Sequence, residues 1–202
     1  MDLEIHQALT AEEIEHVKQI TNTENLYYDY DPLIEQARNH AFYVCRQFNQ
    51  TFAQTGHGEM QLMMDLFGDL GNHAEIGKGF ITEFGFNLHV GDHFYAGQNL
   101  KVIDCNVIKI GDYVQVGDNC GIYTSNHAFD PQKRADHWCS DHPITIGSHV
   151  SIGNDVTVLP GITIGANTVI RSGSIVTHDL PADVVAAGTP CTVIENLSDK
   201  AE

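Results

Sequence analysis

The chain is predicted to be mainly β, a single-stranded parallel β-helix with an α-helical cap at its N-terminal end. Three observations predict it: a six-residue beat, an aliphatic–glycine pair that travels with the beat, and a helical stretch ahead of both. The beat is clearest late in the chain, where Ile146, Ile152, Val158, Ile164, Ile170 and Val176 follow one another at intervals of six. A helix repeats its apolar residues at about 3.6 positions and an ordinary strand at every second one. A sustained interval of six fits a solenoid in which each step is one short strand and a corner, and three steps close a triangular coil. One aliphatic side chain per step points inward. Gly, Ser, Asn and Asp beside it take the corners, where little side chain fits or φ must be positive.

Upstream the beat is looser. Val90, Ala96, Val102 and Ile108 are six apart, and the phase then slips by two to Ile110, Val116 and Ile122. The same pair recurs at Ile110–Gly111, Val116–Gly117, Ile146–Gly147, Ile152–Gly153 and Ile164–Gly165. Roughly five coils are expected. A β-sandwich rich in glycine turns is the competing architecture, but its strands have no reason to keep one fixed interval.

The elements before the solenoid read as helices. Residues 10–20 (TAEEIEHVKQI) are capped by Thr10, with Glu13 completing a capping box. From Pro32 to about Phe48, the residues Leu33, Ala37, Ala41, Val44, Cys45 and Phe48 return at three and four, an amphipathic helix with proline in its first turn. A third piece, GEMQLMMDLFGDLG, covers about 58–70. Residues 1–71 are therefore read as a helical cap region and 72–188 as the β-helix. Residues 189–202 are a tail that folds back along the wall. The cap shields the strand edges that a solenoid end would expose.

Composition narrows the function. Ten Lys and Arg against 27 Asp and Glu give a formal charge of −17, without the basic footprint of a nucleic-acid or anionic-membrane binder. There is no run of about 18 apolar residues. The acidic start MDLEIHQALTAEE lacks the basic and apolar regions of a secretory signal. The five cysteines are odd in number and scattered, as expected of free thiols in a reducing, cytoplasmic setting.

One interruption stands out. Ile122 and Ile146 are 24 residues apart, a multiple of six, yet TSNHAFDPQKRADHWCSDHP between them ignores the beat. This excursion, about 124–143, is a polar loop with histidines and prolines, and long loops on rigid scaffolds commonly carry binding chemistry. A flat solenoid wall has no cleft of its own, so the loop must build one, most simply against a neighbouring subunit.

The stretches LYYDYDPLIEQAR, FNQT, FGFNLHVGDHFYAGQNLKVID, IKIGDYVQVGDNCGIYTSNHAFDP, the regular run after Pro143 and VVAAGTPCTVI together resemble the hexapeptide-repeat O-acetyltransferases of the maltose, galactoside and nodulation-factor group. The resemblance is collinear over about residues 10–197. It implies a left-handed coil, a homotrimer with active sites between subunits, acetyl-CoA as donor, and a hydroxylated acceptor such as a sugar. No metal is implied.

By that resemblance His127, in TSNHAFDP, is the catalytic general base, since a neutral imidazole can take the proton of an attacking alcohol. Composition alone allows a surface histidine with no role. Asp29 and Arg38 correspond to acceptor contacts, or else to a loop aspartate and a surface arginine. Tyr95 is either a third contact or wall packing. Asn154, Ser172, His178, Ala187 and Gly188 correspond to the coenzyme A side, with a backbone N–H of the Asn154 turn holding the thioester oxygen.

Several positions depart from the family pattern. Gly97 replaces a substrate-binding asparagine, Cys105 replaces the second of two acidic residues, and Ser151 replaces a tryptophan. Trp138 stands where glutamate is frequent, as a stacking face or a loop anchor. His178, Thr192 and Glu195 replace basic residues near the donor, and Arg171 is an added cation, either compensating there or simply paired at the surface. These changes favour an altered acceptor. A catalytically reduced binding or scaffold protein is the alternative. A zinc hydrolase drawing on His137 and His142, with His89, His93 and His149, is a weaker competitor.

Overall fold

A computed structural model describes residues 7–200. Its body is a left-handed parallel β-helix with three walls. The first wall stacks Asp69–Leu70, Leu88–Val90, Ile108–Ile110, Ile144–Ile146 and Thr163–Ile164. The second stacks Glu75–Ile76, Tyr95–Ala96, Gln115–Val116, Ser151–Ile152, Val169–Ile170 and Val184–Gly188. The third stacks Ile81–Thr82, Lys101–Ile103, Gly121–Tyr123, Thr157–Val158 and Ile175–Val176. Each coil crosses the three walls in turn, as the six-residue beat predicts.

The beat's residues line the interior. Ala96, Val116, Ile152 and Ile170 form one inward column and Val102, Ile122, Val158 and Val176 another, all essentially removed from solvent. Each buried valine or isoleucine of these columns contributes about 1.5–3 kcal/mol of hydrophobic stabilisation. The upstream slip also has a cause. Early coils are 20 residues long, pairing Leu88 with Ile108, because the corner from third to first wall carries extra residues; late coils are 18 long.

Corner chemistry divides into two kinds. Positive φ falls mainly on His, Tyr, Asn and Asp: His73, His93, Tyr113, His149, Asn167 and Asp183 at one corner, and Asn99, Asn119 and Asp155 at the next. The first four of these stack their rings along the outside, with centroids 4.8, 4.6 and 5.0 Å apart. The glycines of the aliphatic–glycine pairs serve close approach instead. A Cβ on Gly153 would lie 2.5 Å from the Ser172 backbone nitrogen in the next coil.

Helix α1, Ala11–Thr21, has the expected Thr10–Glu13 capping box. Helix α2, Pro32–Thr55, starts on Asp31, whose carboxylate accepts from the N–H groups of Leu33 and Ile34. It runs seven residues past Phe48, because Phe52 still packs on the core and nothing breaks the helix before Gly56 at φ 81°. Helix α3, Met60–Leu66, follows. Phe48, Met63, Leu66, Phe67 and Phe80 close the end of the β-helix core.

The excursion is ordered. Strand Ser125–His127, helix α4 (Pro131–Ala135) and strand Trp138–Asp141 make a hairpin, and Tyr27–Tyr28 adds a third antiparallel strand. Tyr27 faces Cys139, which faces His127. At the other end of the solenoid Cys191–Asn196 returns antiparallel to Val184–Gly188. Among the described residues no helix is long and apolar enough to cross a membrane.

Candidate active site

The hairpin leaves the solenoid at the corner between the third and first walls and carries His127 at the end of its first strand. The imidazole is exposed, and its Nδ1 lies 3.4 Å from the buried Cys139 sulfur. The added strand Tyr27–Tyr28 leads directly into Asp29, whose N–H donates to the His137 carbonyl at 3.0 Å. Hairpin and N-terminal segment are thereby locked together, and Asp29 is delivered to the same corner, with strand Trp138–Asp141 between it and the His127 strand.

Arg38 reaches this corner from helix α2. Its guanidinium donates to both Asp29 carboxylate oxygens at 3.0 and 3.2 Å, and its Nε donates to Glu83. Glu83 follows the third-wall strand Ile81–Thr82. Burial pushes the Glu83 carboxyl up, and Arg38 pulls it back down. Burial also opposes the charge on Arg38, but Glu83 and Asp29 outweigh it and hold the guanidinium more firmly protonated than usual. The result is a half-buried cation between two carboxylates, able to direct hydroxyl groups once solvent is displaced. A cleft of about 590 Å³ opens from Glu83 between α2 and the third wall, lined by Phe42, Arg46, Asn49, Ile81 and Ile103 among others.

Two further polar groups support the corner. The Tyr27 hydroxyl donates to Asp141 Oδ2 at 2.6 Å, while Asp141 Oδ1 has no hydrogen-bond partner among the described residues. Burial pushes Asp141 up to about 6, against the hydrogen bonds from Tyr27 and Ser125. Asp104 is fully buried and clamps the turn below: it accepts from Thr82 Oγ1 and from the N–H groups of Glu83, Phe84 and Gly85. Its neighbour Cys105 lies in the small core cluster with Val17, Tyr27 and Ile34, and burial pushes its thiol well up.

Other candidates lie elsewhere. Tyr95 is half-exposed on the second wall, opposite the corner that holds Glu83, so one chain does not bring it to Asp29 and Arg38. Gly97, on the same wall, sits over the next coil: a Cβ there would meet Asp118 Oδ1 at 2.4 Å and its backbone nitrogen at 2.8 Å. Trp138 packs its ring 6.3 Å from Tyr28 on the outer face of the hairpin sheet.

Asn154 and Ser172 share the corner between second and third walls. Hydrogen bonds run up that corner from Gln98 through Asp118 and Asn154 to Ser172, and the Asn154 N–H donates to Ser172 Oγ at 2.9 Å. That N–H is therefore engaged within the chain, and the sequence gives no sign of it. Ala187 and Gly188 end the last second-wall strand, with the Gly188 N–H on Ser174 Oγ at 3.1 Å. His178 is exposed beside Thr177, and Arg171 is exposed just before Ser172. Among the described residues no three His, Cys, Asp or Glu side chains are grouped so as to hold a metal ion.

Glu83, Cys139, Tyr27 and Asp141 are parts of this corner that sequence reasoning missed. Only Tyr27 carried a local signal, through its place in LYYDYDP; Glu83 meets Arg38, Cys139 meets His127 and Asp141 meets Tyr27 through tertiary pairing.

Comparison with known proteins agrees with this architecture. Residues 23–71 match the maltose acetyltransferase hexapeptide capping motif, and residues 143–178 match the bacterial transferase hexapeptide. The galactoside O-acetyltransferase of Escherichia coli is 37% identical over 154 residues, covering 76% of each chain. The crystal structure of a maltose O-acetyltransferase from Clostridium difficile superposes with a TM-score of 0.85 at 35% identity, covering 89% of this chain and 96% of that one. A hexapeptide-repeat acetyltransferase from Vibrio cholerae, solved with acetyl coenzyme A, superposes with a TM-score of 0.81 at 30% identity, covering 92% and 98%. With the left-handed coil, the helical cap and the histidine hairpin all in place, the chain belongs to the hexapeptide-repeat acetyltransferase family, in its galactoside and maltose acetyltransferase group, and is a CoA-dependent acetyltransferase.

Proposed function

We propose that the protein moves the acetyl group of acetyl-CoA directly to a hydroxyl of a sugar or related acceptor, with His127 as general base. The observation that carries this reading is the three-stranded sheet, which sets His127 one strand away from the segment that delivers Asp29 and its partner Arg38. The acceptor hydroxyl, oriented by Asp29 and Arg38, gives its proton to the imidazole as its oxygen attacks the acetyl carbonyl. The carbon–sulfur bond breaks, and the imidazolium returns the proton to the departing thiolate. Holding both substrates together makes a covalent enzyme intermediate unnecessary.

The donor is assigned to Ser172, Ala187, Gly188 and His178, around the corner where the Asn154 N–H is already taken by Ser172 Oγ and so does not serve the thioester oxygen. Within one chain this group lies mostly on a different corner from His127. A complete cleft therefore needs a second copy, which supports a homotrimer and gives Tyr95 a role in a neighbour's site. Gly97 and the buried Cys105 remove two hydroxyl-binding side chains, which supports an acceptor other than a standard galactoside or maltose. Five buried, unpaired cysteines support a reducing, cytoplasmic setting.

The test is thiol release from acetyl-CoA across a panel of hydroxyl and amine acceptors, with His127→Ala alongside. Acceptor-dependent release that falls by about 10²-fold or more in the variant is expected. A loss under tenfold removes the general-base role, and no release from folded wild-type protein removes the transferase reading.

A further inference from the structure

We propose that Cys139 is the positioning residue of His127: its sulfur accepts the imidazole Nδ1–H and so leaves the Nε2 lone pair for the acceptor hydroxyl. The inference rests on His127 being the general base. It begins with register. His127 and Cys139 are directly opposite partners on antiparallel strands, so their side chains point to the same face. Nδ1 and Sγ are 3.4 Å apart, within the longer reach of sulfur. The sulfur is buried and the ring exposed, so the protein holds the imidazole by its inner edge.

A thiol beside a histidine in an acyl-transfer site has two possible uses. As a nucleophile it would give its proton to the imidazole, bond to the acetyl carbon and expel the CoA thiolate. The surroundings oppose this. Burial pushes the Cys139 thiol up to about 12, Asp29, Asp141 and Glu83 push the same way, and only Arg38 opposes them. Sulfur therefore keeps its proton near neutral pH and acts as a dipole. In the proposed arrangement the S–H hydrogen turns away from the ring and a sulfur lone pair faces Nδ1. A neutral imidazole protonates one nitrogen only, so a proton held on Nδ1 is a lone pair on Nε2. Because the thiol adds no charge, it sets the tautomer without raising the basicity of the ring as a carboxylate partner would.

The experiment is nitrogen-resolved imidazole NMR on the full chain at about pH 8, where an ordinary histidine is neutral. His127→Gln assigns the signals. Wild-type His127 is expected to carry its proton on Nδ1. Cys139→Ala should shift it toward Nε2 and lower kcat about tenfold, with KM for acetyl-CoA unchanged. Cys139→Ser, which keeps an acceptor, should recover most of both. A proton on Nε2 in the wild type overturns the proposal, as does a Cys139→Ala protein with unaltered tautomer and kcat. An acetyl thioester on Cys139, found by mass spectrometry after mixing with acetyl-CoA alone, overturns it in favour of covalent transfer. Failure of the transferase reading would appear separately, as absent acceptor-dependent thiol release, and the tautomer measurement would still decide the role of Cys139.

Discussion

Arg38 binds two carboxylates that lie 54 residues apart in sequence, Asp29 and Glu83. Removing it leaves Glu83 buried without its cation, so Arg38→Ala should cost about 3 kcal/mol in a denaturant titration. Glu83→Gln in the same chain should return much of that loss, because the uncompensated charge is then gone. If Arg38→Ala unfolds at the wild-type midpoint, the buried pair contributes nothing. Asp141 makes a second, opposite kind of prediction. Its folded-state value of about 6 stands above its ordinary 3.8, so the folded state binds more protons than the unfolded one between these values. Its contribution is fully present below about pH 4 and is lost as pH rises through about 6, a fall of about 3 kcal/mol. Asp141→Asn should flatten that slope, and a series of urea melts from about pH 4 to 7 reads it directly. An unchanged slope would mean that Asp141 does not titrate in this window.

At the scale of the element, coil stacking depends on the glycines of the second wall. A Cβ on Gly153 would press on the backbone of the next coil, which cannot move without shifting the wall, whereas a Cβ on Gly173 meets nothing within 4 Å. Gly173 has φ 75°, so alanine there carries only the left-handed backbone cost of about 1–2 kcal/mol. Gly153→Ala should therefore lower Tm clearly more than Gly173→Ala. Equal losses would show that the next coil yields to the added Cβ and that close stacking does not make this position need glycine. The hairpin is the other decisive element. It converts a break in the repeat into a rigid platform, pinned by the Tyr27–Asp141 hydrogen bond and by Arg134, which donates to the carbonyls of Ala128 and Phe129.

For the whole molecule, the separation of the proposed acceptor and donor corners predicts that activity belongs to the assembly. Light scattering at micromolar concentration should give the mass of three chains, and dilution below the assembly threshold should abolish turnover in proportion to the lost trimer. A monomer with full activity would sink the shared-cleft reading. The uniform interior also makes the fold sensitive along its length. Ile122→Ala, in the middle of the third-wall column and 1% exposed, should cost about 2–5 kcal/mol by calorimetry or denaturant melts. A loss under about 1 kcal/mol would indicate that neighbouring coils collapse onto the vacancy.

Periodicity is a local property, and it carried most of the architecture. The beat from Ile146 to Val176, the Thr10–Glu13 box and Pro32 behind Asp31 each state a strand, a cap or a helix start through residues within one turn of one another. The excursion was visible as a failure of that periodicity, and His127, Asp29 and Arg38 were legible only through motifs. The antiparallel pairing of the hairpin with Tyr27–Tyr28 was not legible, because strands of two to four residues have too little pattern to declare a partner more than 100 residues away. Nor was the end of α2, where Phe52 holds the helix to Thr55 by tertiary packing. The same limit hid Glu83 under Arg38, Cys139 under His127 and the Asn154 N–H on Ser172 Oγ. By itself the sequence determined the coil and its cap, because those follow from spacing along the chain, and it offered candidate site residues through family motifs. Which side chains meet, and hence which charges are balanced and which nitrogen of His127 is held, was decided only by the tertiary structure, because contact and burial depend on segments far apart in sequence.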